Sequence, residues 1–403
     1  MGIKQKIKNS MDVVLLFAFR LFVKPRDAVL FDSFSGSYSD NPKYISEKLH
    51  AIRPDIPIYW LLTDANMERK EIPSYIHKVR IRNRVLYHYY GYRCKVQIDN
   101  FAGIRSHSNA SKFRKFIIQS PKLLGISTWH GTPLKFIGHD FKKTVFMEPN
   151  VSSARFAVAG CEFTKQRLKS AYPFWDILMT GTPRNDILVN KDVSVKELKK
   201  KLKLPEEYNL ILFAPTYRNN EYDSGIRQIK EIDFKRLHET LKNKWGGKWA
   251  FIYRLHPHVD CSKINVDNKT EDMIMINGNE FEDMAEYLAV SDLLITDYSG
   301  SLFDFMLLDK PCVLLTLDKE HYESVERGTY MDLDDLPYPF ACTVDELYQD
   351  INDYDLTLIM KKKNDFLKWL GSIEDGKAAG RIARMVVEYL DTGKLPADSG
   401  PKS

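Results

Sequence analysis

Trp129-His130-Gly131-Thr132-Pro133-Leu134-Lys135 sets an imidazole in a Gly/Pro-punctuated turn directly after a short apolar stretch around Ile126. A histidine titrates near neutrality, and loops that follow strands are where α/β enzymes place their chemistry, so His130 suits proton transfer. By itself it reads first as an ordinary core or surface histidine in a turn. The second half of the chain carries further reactive residue types at the ends of apolar runs. Leu210 to Ala214 leads into Pro215-Thr216-Tyr217-Arg218, Ala250 to Tyr253 into Arg254-Leu255-His256-Pro257, and Leu293 to Thr296 into Asp297-Tyr298-Ser299-Gly300-Ser301. Taken singly, Arg254 is a salt-bridge partner, His256 a turn histidine and Asp297 to Ser301 an N-cap cluster. Converging at one rim, the Arg, His, Ser and Thr side chains make an anion site. The Ser299-Gly300-Ser301 turn resembles a pyrophosphate seat: free N–H groups and the helix dipole favour phosphate, and a glycine lets the backbone approach. A helix terminus alone contributes about 0.3–1 kcal/mol when exposed, so Arg254 or Arg218 is needed to hold a diphosphate.

The elements that must position these residues follow from the apolar pattern. Short β-branched or aromatic runs alternate with amphipathic stretches, which predicts βαβ units and parallel sheets. Strands are expected at Ala28 to Phe31, Ile58 to Leu62, Lys95 to Ile98, Ile126 to Trp129 and Phe156 to Ala159, then at Leu210 to Ala214, Ala250 to Arg254, Met273 to Ile276, Leu293 to Thr296 and Cys312 to Thr316. Helices are expected around Val195 to Leu202, Phe234 to Lys244, Phe281 to Ala289 and Leu302 to Leu308. Two such sets predict an α/β chain with two Rossmann-like domains, joined near Gly181-Thr182-Pro183-Arg184-Asn185-Asp186, where turn formers cluster. Ligands then belong beyond the carboxyl ends of the strands.

Composition narrows the chemistry. The 403 residues are 44% hydrophobic, ordinary for a folded protein of two or three domains. The formal charge of +5 needs only a local anion site or a negatively charged surface and lacks the concentrated stripe of a nucleic-acid binder. Five cysteines with no CxxC pair signal neither a disulfide framework nor a zinc site and fit a reducing cytoplasmic setting. No GxxxxGKS or GxGxxG sequence is present, against a P-loop NTPase or a dinucleotide dehydrogenase. Asp332 and Asp334 have the spacing of a metal-binding pair, yet their acidic turn reads as solvated loop; no metal or cofactor is expected. At the amino terminus Lys4, Lys6 and Lys8 precede Val13 to Phe19, and Arg20 interrupts the run before Leu21-Phe22-Val23. That is too short to span a bilayer, and no signal-peptide cleavage site follows. Residues 1–25 read as an interfacial amphipathic helix drawn to anionic lipid, or as a helix docked on the protein itself.

The order and spacing of these segments resemble the CDP-glycerol glycerophosphotransferases of teichoic acid synthesis, the TagB/TagF group. The likeness runs through Trp129 to Lys135, Gly181 to Asp186, Ala214 to Arg218, Arg254 to Pro257, Thr296 to Ser299 with Phe303-Asp304, Arg327-Gly328 and Asp375-Gly376-Lys377. It covers about Phe31 to Leu390 and implies a GT-B-like architecture of two Rossmann-like domains with parallel sheets facing a cleft. The expected division is 26–183 for the acceptor, 184–372 for the CDP donor, a C-terminal helix in 373–392 crossing back to the first domain, and a loose tail at 393–403. The resemblance implies a monotopic enzyme on the cytoplasmic membrane face that moves glycerol phosphate, or another polyol phosphate, from CDP-glycerol or CDP-ribitol to a lipid-linked saccharide acceptor with release of CMP. His130 then resembles the base that deprotonates the acceptor hydroxyl, and His256 a second essential histidine near the donor phosphates. Thr216, Arg218, Arg254, Thr296, Ser299, Gly300, Ser301, Asp304 and Arg327 match the donor side; Gly36, Asn41, Gly131 and Thr132 match the acceptor side. Many members carry a serine where this chain has Gly300, which removes any hydroxyl contact there. The chain also lacks the large extra amino-terminal region of some polymerases, which favours primer or short-chain addition. Rival expectations are a GT-B glycosyltransferase using a nucleotide-diphosphate sugar and a non-catalytic membrane-surface scaffold; oligomeric state is open.

Overall fold

A computed structural model describes residues 14–15, 17–104, 106–107, 118, 122–141, 151–218, 225–255, 259, 273–278, 283–325 and 328–396. The chain divides into two compact units: unit 1 comprises 1–130, 137–186 and 373–403, and unit 2 comprises 131–136 and 187–372.

Unit 1 is built on β1 (Arg26–Phe31), β2 (Ile58–Leu62), β3 (Ile76–Arg80), β4 (Cys94–Asp99), β6 (Leu124–Ser127), β8 (Phe156–Ala159) and β9 (Asp176–Met179), with a small antiparallel ribbon of β5 (Ser106–His107) and β7 (Val151–Ser152). The seven-stranded sheet has the order β3-β2-β1-β4-β6-β8-β9, and every pairing in it is parallel. The order reverses between β1 and β4, which makes their carboxyl ends the crevice of a doubly wound sheet. Central strands are apolar on both faces, as in β1, where Ala28 to Phe31 are buried, because helices cover both sides. One covering helix is Asp40–Ile52, which packs Ile45 and Leu49 into the same cluster as Ile382, Ala383 and Val386 of the C-terminal helix Ala378–Thr392.

That C-terminal helix is fixed by charge at its start. Asp186 accepts hydrogen bonds from the amides of Ala378 and Ala379, both at 2.9 Å, supplying acceptors to two of the free N–H groups of a helix start. The Glu374 carboxylate takes the Thr182 amide with both oxygens at 3.0 Å. The Gly181-to-Asp186 segment, expected as the interdomain joint, is the last stretch of unit 1 before the chain passes to unit 2 at Ile187.

Unit 2 is a second parallel sheet, β12-β11-β10-β13-β14-β15, from β10 (Asn209–Phe213), β11 (Trp249–Tyr253), β12 (Ile274–Asn277), β13 (Leu293–Thr296), β14 (Cys312–Leu315) and β15 (Phe340–Ala341). Its switch point lies between β10 and β13. The short segment Gly131–Phe136, expected in the first domain, belongs here. Lys135 bridges Thr329, Tyr330 N donates to Leu134 O at 2.8 Å, and Phe136 N donates to Gly328 O at 3.3 Å. Backbone pairing, which apolar pattern does not report, decides its membership.

Two elements differ from expectation in a way that matters for the site. The strand expected at Ile126 to Trp129 runs from Leu124 to Ser127, because Thr128 N turns to Asp99 O (2.6 Å) and Trp129 takes a left-handed backbone with φ 50°. The expected helix Leu302 to Leu308 is the short Ser301–Phe305. At the amino terminus, residues 17–22 are helical, with Phe17, Leu21 and Phe22 exposed; residues 1–13 lie outside the described residues. Among the described residues no helix is long and apolar enough to cross a membrane.

Candidate active site

In unit 1 the functional candidates gather at the switch point. β4 ends in Asp99, and the next residue, Asn100, directs its carbonyl at His130 Nδ1 at 2.9 Å. A carbonyl oxygen only accepts, so Nδ1 carries the hydrogen and Nε2 keeps the lone pair of the neutral ring. This is the tautomer a base needs. The Asn100 side chain ties the opposite loop: its Oδ1 accepts from Phe34 N at 2.9 Å and its Nδ2 donates to Ser33 Oγ at 3.2 Å. The imidazole stacks on Trp129, with centroids 4.3 Å apart, and Trp129 is itself anchored in a core cluster with Tyr172 and Trp175.

The His130 turn is clamped from a second side by residues of the helix that starts at Asp40. Asn41, wholly buried, donates from Nδ2 to Trp129 O (3.1 Å) and Thr128 O (3.4 Å), and its Oδ1 accepts from Arg184 N (2.9 Å). Arg184 in turn pairs with Asp40 at 2.6 Å, both side chains being buried. Asn41, read from sequence as an acceptor contact, thus has its amide engaged in holding the histidine turn. Gly36, also read as an acceptor contact, has φ 118°, and a Cβ there would lie 2.7 Å from Thr63 N, so its role is to let two loops touch.

Left-handed backbone concentrates at this site. Of the five described non-glycine residues with positive φ, Phe34, Ser35, Asp40 and Trp129 lie around His130; such conformations cost energy and cluster where surrounding structure enforces them for function. Two carboxyl groups lie buried beneath. Burial pushes Asp32 up to about 7 against hydrogen bonds from Gly36 and Ser33 backbone, and Asp32 Oδ1 has no hydrogen-bond partner among the described residues. Burial likewise pushes Asp99 up to about 7, although its Oδ2 accepts from Phe101 N (3.0 Å) and Gly103 N (2.9 Å).

Unit 2 assembles its candidates where β10 and β13 part. Thr216 N donates to Asp297 Oδ1 at 2.7 Å, so the two strand ends are tied, and the buried Thr216 hydroxyl has no partner among the described residues. Ser301 Oγ and Ser299 Oγ lie 3.0 Å apart on the turn into Ser301–Phe305. Gly300 packs against the Thr132 turn in this same unit: a Cβ at 300 would stand 2.8 Å from Thr132 O, so the glycine permits this close approach. Asp304 is buried in that short helix. Arg254, half-buried, donates to Gly278 O at 2.6 Å and lies over the Tyr287 ring at 5.0 Å.

Two of the donor-side candidates have their side chains engaged within unit 2. Arg218 is buried between two carboxylates, Asp297 at 2.8 Å and Asp318 at 3.0 Å, and it lies over the stacked rings of Tyr298 and Tyr322. Burial alone would lower its basicity; the two carboxylates outweigh that and hold it cationic. Its charge is matched by these carboxylates, so it braces the strand ends while also lining the cleft beside it. Thr296 is wholly buried and gives its hydroxyl to Ala214 O at 2.7 Å. His256 and Arg327 lie outside the described residues. Beside Arg218 a cleft of about 740 Å³ opens at the ends of β14 and β15, lined among others by Arg227, Gln228, Thr316, Lys319 and His321. The acidic turn at Asp332 caps itself, Asp332 N donating to Asp335 Oδ2 at 3.3 Å, and Lys319 faces Asp334 at 3.7 Å.

Sequence reasoning passed over Asp32, Phe34, Asp99, Asn100, Phe101 and Arg184. The strand-end rule that selected Thr216 and Asp297 in unit 2 applies equally to Asp99-Asn100 after Lys95 to Ile98 and to Asp32 after Ala28 to Phe31, so the signal was present.

Two doubly wound parallel sheets define a GT-B-like α/β protein, and comparison with known proteins specifies the family. The chain matches the family model for CDP-glycerol:poly(glycerophosphate) glycerophosphotransferase over residues 14–388 and belongs to that family. It is 28% identical over 390 residues to the teichoic acid poly(glycerol phosphate) polymerase of Staphylococcus epidermidis, covering 90% of this chain and 51% of that protein. It is 26% identical over 411 residues to the teichoic acid glycerol-phosphate transferase of Staphylococcus aureus, covering 95% of this chain and 99% of that one. Among solved structures it resembles the wall teichoic acid polymerase TagF soaked with CDPG, with a TM-score of 0.77, 25% identity and coverage of 96% and 97% of the two chains. A UDP-N-acetylglucosamine 2-epimerase from Listeria monocytogenes shares the fold alone, at TM-score 0.52, 15% identity and coverage of 93% and 99%. The chain spans about half the length of the polymerases that it matches in Staphylococcus epidermidis and Bacillus subtilis.

Proposed function

We propose that this chain transfers a polyol phosphate from CDP-glycerol, or CDP-ribitol, to a hydroxyl of a lipid-linked acceptor and releases CMP. The acceptor oxygen attacks the β-phosphorus, the bond from that phosphorus to the bridging oxygen breaks, CMP departs with the electron pair, and the acceptor proton passes to His130 Nε2. The observation that carries this reading is the Asn100 carbonyl on His130 Nδ1, which leaves Nε2 as the basic atom at a sheet's switch point. Positioning and charge stabilisation supply most of the catalysis in phosphoryl transfer. In unit 2, Thr216, Ser299, Ser301 and Arg254 are the donor-side candidates, joined by His256 and Arg327 on family resemblance. The cleft beside Arg218 has the volume of a small-molecule site and takes the nucleoside in this reading.

His130→Ala should lower CMP release by roughly 10²- to 10⁴-fold with CDP-glycerol binding retained, the range for a lost general base. Near-normal turnover would remove His130 from the role. Incubation with CDP-glycerol, CDP-ribitol and UDP-sugars in parallel separates this activity from a sugar transfer on the same fold.

The reading includes peripheral attachment on the cytoplasmic face of the cell membrane through the amino-terminal segment. Its exposed Phe17, Leu21 and Phe22 sit beside Arg20 and Lys24, an apolar edge with basic flanks. Deleting residues 1–25 should abolish sedimentation with anionic liposomes; undiminished sedimentation sinks the attachment.

A further inference from the structure

Two phenylalanines beside His130 in unit 1 are turned toward solvent, Phe34 at 51% exposure and Phe101 at 59%. Phe101 lies 5.7 Å from the imidazole and nearly parallel to it, at 9°; Phe34 lies 5.9 Å away, tilted by 59°. Large aromatic side chains gain by burial, so a pair held out beside a base needs a reason. Neither is loose. Phe34 sits at φ 43° and Ser35 at φ 57°, a region that a bulky residue avoids, and the loop is kept there by Phe34 N on Asn100 Oδ1 and by Gly36 N and Ser37 N on Ser33 O at 3.0 and 2.8 Å. Phe101 is set by its amide on the buried Asp99 carboxyl, and its carbonyl accepts from Ser127 Oγ. One buried dipeptide, Asp99-Asn100, therefore fixes both rings and, through the Asn100 carbonyl, the histidine. Backbone strain spent on projecting an aromatic ring next to a reactive atom points to a ligand that uses the ring.

Resting on the transferase reading above, we propose that Phe101 is the stacking face for the C–H side of a terminal sugar ring on the acceptor and that Phe34, inclined to it, is the side wall of this aromatic platform, with the adjacent sugar hydroxyl meeting His130. The face of an aromatic ring is electron-rich and favours C–H groups and cations over anions. A chain end made of glycerol phosphate offers no flat apolar face and brings a phosphodiester charge toward those rings. A pyranose offers a face and no charge. The platform thus selects a saccharide-ended acceptor over one that already carries polyol phosphate, and it makes the first addition the preferred reaction.

The test measures CMP release from CDP-glycerol with two synthetic acceptors, a lipid-linked disaccharide and the same molecule already bearing one glycerol phosphate. The wild type should prefer the sugar-ended acceptor. Phe101→Ala should raise KM for that acceptor about tenfold, the upper range for one aromatic contact, with KM for CDP-glycerol unmoved. Phe101→Trp should restore most of the loss, and Phe34→Ala should act in the same direction. The proposal is overturned if the wild type prefers the glycerol-phosphate-ended acceptor, or if KM for the sugar-ended acceptor is the same in Phe101→Ala as in wild type. Absence of CMP release from the wild type with both acceptors would instead overturn the transferase reading beneath it, a different outcome from altered acceptor preference.

Discussion

Removing the Asn41 amide should loosen the histidine turn without touching any reacting atom. In Asn41→Ala, Arg184 N loses an acceptor at 2.9 Å, and Trp129 O loses one of its two donors, keeping Thr128 Oγ1 at 3.1 Å. The long bond to Thr128 O at 3.4 Å is lost as well, and Asn41 has no exposure, so water cannot replace these bonds without opening the clamp. A buried group stripped of its partner costs about 1–3 kcal/mol, and the weakened Trp129 bond adds less, so roughly 3 kcal/mol is expected in all. For a unit near 200 residues, each kcal/mol moves the melting midpoint by about 2–4 °C, which gives a fall of about 6–12 °C for unit 1 by scanning calorimetry. Because the clamp ends on the residue before His130, kcat for CMP release should fall with the KM for CDP-glycerol unchanged. Asn41→Asp separates the two effects: it retains an acceptor for Arg184 N but sets a carboxylate against the Trp129 carbonyl, so kcat should remain low. A midpoint and a kcat both at wild-type values in Asn41→Ala would refute the clamp.

The buried carboxyls make stability depend on pH in a stated direction. Asp32 and Asp99 rise from 3.8 to about 7 on folding, so the folded chain binds protons that the unfolded chain has released between those values. Stability is therefore greatest below about pH 4 for these groups and is lost as pH climbs toward 7. The urea midpoint of Asp32→Asn should exceed that of wild type at pH 8 and the gain should shrink at pH 5; an equal difference at both pH values counts against a raised Asp32. Arg218→Met should leave the buried Asp297 and the partly buried Asp318 without their cation and cost about 3–5 kcal/mol, read as early unfolding of unit 2, whereas an unaltered urea midpoint would count against Arg218 as a structural brace.

The strands that the sequence missed are instructive because β3, β9 and β15 are all sheet edges. An edge strand is covered less completely, so Ile76–Arg80 mixes His, Lys and Arg with its apolar residues, and Phe340–Ala341 is two residues long. Neither of these two stretches has the run that marks a buried strand, whereas β9 has only the short apolar run Ile177-Leu178-Met179. Central strands were legible for the converse reason. Leu293–Thr296 and Cys312–Leu315 are buried at every position and read as unbroken apolar blocks. The strand-end candidates were legible too, but not what each side chain touches. That Arg218 meets Asp297 and Asp318, and that Thr296 gives its hydroxyl to Ala214 O, is invisible in one dimension.

Local pattern thus determined the α/β class, the two doubly wound halves, the family and the turn that carries His130, since each depends on apolar periodicity or on short runs of neighbouring residues. Tertiary structure alone decided the hydrogen on Nδ1, the clamp of Asn41, Arg184 and Asp40, the return of the C-terminal helix to Asp186 and the outward set of Phe34 and Phe101. Those features join residues as far apart as Asn41 and Arg184, or Asp186 and Ala378, and a hydrogen bond depends on positions in space that spacing along the chain does not encode.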